Sequence, residues 1–286
     1  MPGTRNTRGV TDPTMRFIGH STVRMDLGGT TVLTDPVLTA RVGPLSRVTR
    51  TPDAASYTGV DLVLISHLHA DHLHLPSLRL LGEDVRIAVP HGAGAWLRDR
   101  GFRRVEELDV GGQLTERDVR VTATRAVHSG HRWGPRLTHG PQSPAIGHML
   151  EANGLRIYLA GDTDLFDGMS SLGPVDVAAL PVWGWGPSLG PGHLTPQDAA
   201  VAVGRIRPRL AVPVHWGTLA PMGLPRAPGR PGARMRRALV EPPREFAAAV
   251  RRARTPSRVV ISEPGGSVPV PDPGTDPPPD ITAGWT

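Results

Sequence analysis

The chain has 286 residues, room for one large domain or two small ones, and a single α/β domain of that length buries ample core. It has no cysteine, which excludes a disulfide framework, a thiolate metal site and a cysteine nucleophile. Any bound metal must then rest on His, Asp or Glu, a donor set that suits zinc, manganese or iron. The net charge is +6, with 34 Gly, 31 Pro and no lysine, so arginine carries all 32 basic positions. Such usage fits a GC-rich genome and makes the charge a weak argument for a nucleic-acid partner. No run reaches the length of a membrane span and the N-terminus lacks the apolar core of a signal peptide, so a cytoplasmic protein is expected.

Residues 1–13 are polar, with Pro, Gly and Arg, and are expected to be disordered. The main domain is expected over 14–264. It opens with Met15 to Leu27, then Gly28-Gly29, then Thr30 to Thr34, an alternating pattern that predicts a β-hairpin stopped by Asp35-Pro36. Residues 39–58 read as loop. Asp61 to Ile65 is a short apolar run and predicts a buried strand. A helix is expected over Leu75–Leu81, a strand over Val85–Val89, and a short helix from Ala93 to Arg100, ended by Gly101. Asp118–Val127 predicts a strand, and Ala145–Glu151 with Leu155–Ala160 a second hairpin around Asn153-Gly154. Val175–Pro181 is another apolar run, followed by the Gly/Trp loop Trp183-Gly184-Trp185-Gly186. Thr195 is placed to cap a helix with Pro196 in its first turn, running to about Ile206. Leu210–Val214 predicts a strand, 217–234 a Pro/Gly/Arg loop, Pro243–Arg254 a helix and Arg258–Ser262 a last strand. The Pro-rich tail, 265–286, is expected to be disordered. Two hairpin-rich halves with helices between them predict an α/β fold, a four-layer αββα sandwich.

The chemistry concentrates in Ser66-His67-Leu68-His69-Ala70-Asp71-His72, three imidazoles and a carboxylate beginning where a strand ends. Neighbours in extended chain point to opposite sides, so His67 and His69 can share one metal. Three further donors also follow apolar strands: His128, Asp162 and His215. Strand ends of one sandwich lie at one edge, so these loops can converge. Five histidines and two aspartates suffice for two divalent ions. The natural partition is His67, His69 and His128 on one, and Asp71, His72 and His215 on the other. Asp162 then bridges, and a hydroxide between the metals is the nucleophile. Zinc is the first expectation, with manganese or iron as alternatives.

These residues resemble the metallo-β-lactamase superfamily, whose His-x-His-x-Asp-His motif matches His67 to His72, with His128, Asp162 and His215 following in the family's order. The resemblance covers roughly 15–263 and implies a dinuclear hydrolase site. Gly19-His20-Ser21-Thr22, Thr34-Asp35-Pro36, His193-Leu194-Thr195-Pro196 and Pro213 to Thr218 resemble the group containing N-acyl-phosphatidylethanolamine phospholipase D and L-ascorbate-6-phosphate lactonase. That group implies phosphodiester or lactone chemistry. His193 matches the phospholipase's His-x-x-Pro segment and is read as a general acid or phosphate contact, the alternative being a residue of the capping loop.

Around the donors, Asp35 is read as an acceptor for a ligand imidazole, or else as a turn residue before Pro36. His20 is placed at the site rim. His131, Arg132 and Trp133 are candidates for the pocket lining. Trp133, Trp183, Trp185 and Trp216 lie beside the ligand loops or the His193 loop and suggest an apolar wall, or packing beneath the metal loops. His74, His91, His139 and His148 are read as surface or core residues. Asp71 is also expected to orient the nucleophile. The foremost reading is a phosphoester hydrolase, most of all a phosphodiesterase. A lactone or carboxylic-ester hydrolase on the same site is the alternative, and a nuclease or a non-catalytic binding protein ranks lower. The substrate is expected to be a small or phospholipid-like anion. From Arg226 to Arg258, ten arginines face Glu241 and Glu245, a local balance of +8. That stretch is either a solvated face or an attraction for a phosphate-bearing substrate or an anionic surface. The oligomeric state is left open.

Overall fold

The strand Leu62–Leu64 shows how the layers form. Successive side chains of a strand point to opposite faces. Leu62 and Leu64 enter the large core between the two sheets, while Val63 enters a separate cluster with Ile87, Val89, Leu78, Leu97 and Phe102. Both faces are therefore covered, which is why the run is continuously apolar. The computed structural model describes residues 12–133, 139–186, 188–274 and 280–282.

The first sheet has seven strands, in the spatial order Gly266–Pro269, Thr14–Gly19, Thr22–Leu27, Thr30–Thr34, Leu62–Leu64, Arg86–Pro90 and Val105–Leu108. Helices α1 (Leu75–Leu81) and α2 (Gly94–Arg98) contribute to the cluster on its outer face. The second sheet has eight strands, in the order Ile281–Thr282, Arg258–Ile261, Pro208–Val214, Val175–Pro181, Leu155–Leu159, Ile146–Ala152, Val119–Arg125 and Gln113–Glu116. Helices α3 (Pro196–Ile206) and α5 (Pro242–Arg252) cover its outer face through Ala199, Val203, Phe246 and Val250. Helix, sheet, sheet, helix is the four-layer αββα sandwich. Thr195 caps α3: its hydroxyl accepts from the Asp198 amide at 3.1 Å, and the Asp198 carboxylate accepts from the Thr195 amide at 3.3 Å.

Three expectations are corrected. The stretch 217–234, read as loop, holds the strand Leu219–Pro221 and most of α4 (Gly229–Ala238). Its Pro and Gly suggested breakers, but Pro231 lies in the first turn, where a missing amide costs nothing. At Gly232 a Cβ would lie 1.9 Å from the Ala227 carbonyl oxygen, so glycine is what lets the helix start there. Residues 39–58 carry the short strands Arg41–Val42 and Leu45–Arg47 and a 3₁₀ turn over Ala54–Ser56. The tail is ordered at its start, where Gly266–Pro269 pairs antiparallel with Thr14–Phe17, and Ile281–Thr282 pairs with Val260–Ile261. Residues 1–11, which fall in the expected N-terminal tail, lie outside the described residues. Among the described residues no helix is long and apolar enough to cross a membrane.

The topology fixes the site. Thr30–Thr34, Leu62–Leu64 and Arg86–Pro90 run parallel, as do Leu155–Leu159, Val175–Pro181 and Pro208–Val214. Parallel strands deliver their carboxyl ends to one edge, where sites of open α/β sheets form. Asp35, His67, Asp162 and His215 each follow such an end.

Candidate metal centre

Hydrogen bonds on the far side of each ring set how the histidines face one another. Asp35 takes the amide and the hydroxyl of Ser66, each at 2.7 Å, and the His72 Nδ1–H at 2.9 Å. Because the Ser66 hydroxyl donates to Asp35, its lone pair is left for the His67 Nδ1–H at 3.0 Å. His128 Nδ1 donates to the Gly192 carbonyl at 2.7 Å, and His215 Nδ1 donates to the Trp183 carbonyl at 2.5 Å. Gly192 has φ +84, and a Cβ there would stand 3.0 Å from His128 Nδ1, so a side chain would crowd that bond. With Nδ1 protonated in all four rings, each Nε2 presents a lone pair to the centre.

The lone pairs converge. His67 Nε2 is 2.9 Å from His69 Nδ1, which is 3.1 Å from His128 Nε2. On the other side His72 Nε2 is 3.2 Å from His215 Nε2. Nitrogens held about 2.0–2.1 Å from a tetrahedral ion stand about 3.3 Å apart, so these spacings suit ligands of a common cation. Asp162 lies between the groups. Its Oδ2 is 3.3 Å from His72 Nε2 and 4.0 Å from His128 Nε2, and its Oδ1 is 3.3 Å from His215 Nε2. Asp162 Oδ1 is buried and accepts no hydrogen bond, a strong Lewis base facing the cluster. The donor set therefore fits divalent metal.

The field agrees. Burial holds His67 and His215 well below the usual imidazole range and brings His69 down to about 4. Burial would raise Asp162, yet the charges of His215 and His72 hold it well below the carboxylate range. Burial would likewise raise Asp71, and its hydrogen bond with His20 prevails. Neutral imidazoles and ionised carboxylates are the ligand forms. His72 alone goes the other way: burial opposes its charge, but Asp162 and Asp35 outweigh burial and draw it toward imidazolium. The centre attracts positive charge, and a metal ion answers the same field while releasing that proton.

His20, placed at the rim by the sequence, is corrected: it is fully buried. Its Nε2 donates to Asp71 at 3.0 Å and its ring centroid is 4.0 Å from that of His215. His20 forms a group with Asp71, His72 and His215, their donor atoms all within 4.8 Å of one another. What buries it is a long-range contact: the His20 carbonyl accepts from the His215 amide at 2.7 Å. His193 is partly exposed. Its Nδ1 donates to Gly190 at 3.1 Å, its Nε2 stands 3.6 Å from Asp162 Oδ2, and its ring centroid is 4.6 Å from that of His128.

A cavity of about 600 Å³ opens above the centre. Trp185 lines it; neither His131 nor Arg132 does, which corrects that expectation. Instead Arg132 Nη1 binds the carbonyls of Leu68 and Leu73, on the loop that carries the His motif. The side chain of Trp133 lies outside the described residues. Trp216 is buried in the core against Phe17, ring centroids 6.0 Å apart, and Trp183 packs against the same core, so the described tryptophans of that set do not form one wall. His74 and His148 are buried and His91 is exposed, while the side chain of His139 is outside the described residues.

Residues 30–216 match the family described as Beta-lactamase superfamily domain. A UPF0173 metal-dependent hydrolase of Symbiobacterium thermophilum is 34% identical over 218 residues, which cover 71% of this chain and 84% of the relative. One of Methanopyrus kandleri is 28% identical over 262 residues, 88% of this chain and 97% of the relative. Among solved structures, the metallo hydrolase Igni18 of Ignicoccus hospitalis shares the fold at TM-score 0.64 and 23% identity, covering 90% of this chain and 97% of that one. With a His/Asp cluster of metal-ligand geometry at the strand ends and relatives of that kind across most of its length, the chain belongs to the metallo-β-lactamase superfamily and is a metal-dependent hydrolase.

Proposed function

We propose that the enzyme hydrolyses an ester-type bond at a dinuclear centre. His67, His69 and His128 hold one ion, Asp71, His72 and His215 the other, and Asp162 is shared. The observation that carries this is the position of Asp162 between the two donor groups, its Oδ2 3.3 Å from His72 Nε2 and 4.0 Å from His128 Nε2. Two divalent ions, zinc before manganese or iron, supply an acidified water and a Lewis acid when bound. The chain's own residues do the rest. Asp35 and the carbonyls of Trp183 and Gly192 keep the imidazoles turned with their lone pairs inward. Asp71, held by His20, orients the attacking oxygen. His193, with Nε2 on the open side of Asp162, gives a proton to the departing oxygen. The short matches around His20, Asp35, His193 and His215 support the branch that joins phosphodiester and lactone hydrolysis.

The test is metal analysis coupled to a substrate panel. Reconstituted protein is expected to hold two ions per chain and to cleave phosphodiesters or lactones ahead of phosphomonoesters and thioesters. One ion or none at saturation would remove the dinuclear reading.

A further inference from the structure

Among the described residues, the walls of the cavity above the centre carry no charge. One wall is the turn Val42–Leu45; the other is the loop around Trp185 and Leu189. Ionisable groups among the described lining residues, Asp71 and Asp162 with three histidines, all belong to the floor. In a chain with 32 arginines, none of those lining residues is an arginine. The size is that of a pocket that encloses a small molecule, about 300–1,000 Å³.

An anionic group away from the reacting bond would have to leave water for these apolar walls. A buried charge is tolerated only when it is paired and hydrogen-bonded. Phosphate-binding pockets meet that need with arginine, lysine or a cluster of backbone amides. The carboxylates of the floor would repel such a group, and any cations there are engaged with the reacting atoms. Methylenes and rings, by contrast, gain from leaving water, about fourfold in binding for each methylene.

On the hydrolase reading above, we infer that the substrate is an uncharged carboxylic ester or lactone with an apolar body. The floor receives the acyl group, and Val42, Pro44, Leu45, Trp185 and Leu189 receive the alkyl or ring portion. In the reaction the oxygen of water bonds to the acyl carbon and gives up one proton to solvent, the acyl carbon–oxygen bond breaks, and the departing oxygen takes a proton from His193, which solvent then restores. The products are a carboxylic acid and an alcohol, joined in one molecule when the substrate is a lactone. The anionic substrate expected from the basic stretch thus gives way to a neutral one, because the exposed arginines of 226–258 are not among the pocket walls.

The experiment uses the zinc-reconstituted full chain and a series of γ-lactones with alkyl chains from methyl to octyl. A second series carries a phosphate at the chain end. Bis(p-nitrophenyl) phosphate is the diester control. In the neutral series kcat/KM is expected to rise about fourfold per methylene until the cavity is filled. A terminal phosphate is expected to cost at least about a hundredfold, two decades or more of lost pairing. Leu45→Arg supplies the missing cation, so it should weaken the long neutral lactones and recover part of the loss on the phosphate series. Equal or better turnover of the phosphate series or of the diester by wild-type enzyme overturns the inference and leaves the hydrolase reading intact. Quenching of tryptophan fluorescence by hexanol and octanol measures the pocket without turnover. Chain-length-dependent quenching with no hydrolysis of any substrate supports the apolar pocket and sinks the hydrolase reading instead.

Discussion

Arg132 holds Leu73 by its carbonyl, Nη1 to oxygen 2.6 Å, and the same nitrogen lies 2.9 Å from the Leu68 carbonyl. Those two carbonyls flank the turn that carries His69, Asp71 and His72. Burial brings the Arg132 guanidinium down to about 10, so it stays charged at neutral pH. Its Cζ stands 4.9 Å from the Trp96 ring centroid, where Arg100 also sits at 3.7 Å. Arg132 thus ties the loop after His128 to the loop of the His motif. Replacing it with Gln should loosen the donors and lower apparent metal affinity about 10–100-fold, the usual loss when a group that orients ligands is removed. Lysine, a point charge without the planar fork, should recover only part. Competition with a chromogenic chelator measures this, with circular dichroism to confirm the fold. Unchanged affinity in Arg132→Gln would deny it the role.

His193 should matter in proportion to how badly the leaving group needs a proton. His193→Ala is expected to reduce kcat about 10²–10⁴-fold on alkyl esters and lactones. Nitrophenyl esters should lose far less, since nitrophenolate departs unprotonated. Steady-state kinetics on a matched pair decide it, and equal losses on both remove His193 from the acid role.

Much of the architecture was readable because the strands bury both faces. Asp61 to Ile65 and Leu210 to Val214 are continuous apolar runs, and donors that begin where such runs stop must collect at one edge. The donor residues of the His motif needed no structure to be picked out. Their partners did. His20 looked like a rim residue because local sequence cannot reveal that the His215 loop closes over it. Arg132 looked like a pocket residue because its real partners are main-chain carbonyls, which carry no residue-type signal. Helix α4 was hidden by Pro228, Pro231 and Gly232, whose tolerance depends on packing against Ala227 and on position in the first turn. Charge misled most. Exposed arginines dominate the net charge, while the pocket is lined by a short turn and a Gly-rich loop far apart in sequence.

His148 gives the fold a pH dependence of its own. It is buried at 1% exposure on the strand Ile146–Ala152, and burial brings its pKa down to about 4. The unfolded chain binds that proton near pH 6.5. Below this pH the unfolded state gains a proton that the folded state refuses, so stability falls from about pH 6.5 to pH 4 and is unaffected above. The loss reaches about 3 kcal/mol for this residue. Urea unfolding of metal-free protein at several pH values, wild type against His148→Leu, should show the variant with a shallower slope by one proton in that window. Identical slopes would mean that His148 is not held neutral.

Asp162 and His215 should separate in their effect on metal content. Asp162→Ala removes the shared carboxylate and is expected to abolish turnover while the sandwich still folds, since Asp162 lies beyond a strand end and not in the apolar core. His215→Ala should lower occupancy of one ion selectively, from near two per chain toward one. Elemental analysis after gel filtration reports both, and near-wild-type turnover by Asp162→Ala contradicts the bridging assignment.

The donors are drawn from both halves of the molecule: His67, His69, Asp71 and His72 follow the first sheet, and His128, Asp162 and His215 follow strands of the second. Between the sheets lies an apolar interface that resists separation, pinned at the metal edge by only a few main-chain bonds such as the Ile146 amide to the Ser66 carbonyl at 2.9 Å. Ions seated in the cluster would bolt that interface across its edge, linking positions more than half the chain apart. Metal-starved protein should then breathe along the seam and expose backbone to proteases, so that its half-life in the cell follows the metal supply. Limited trypsin digestion, with and without added zinc, should cut such a protein at its many arginines only when the bolt is withdrawn.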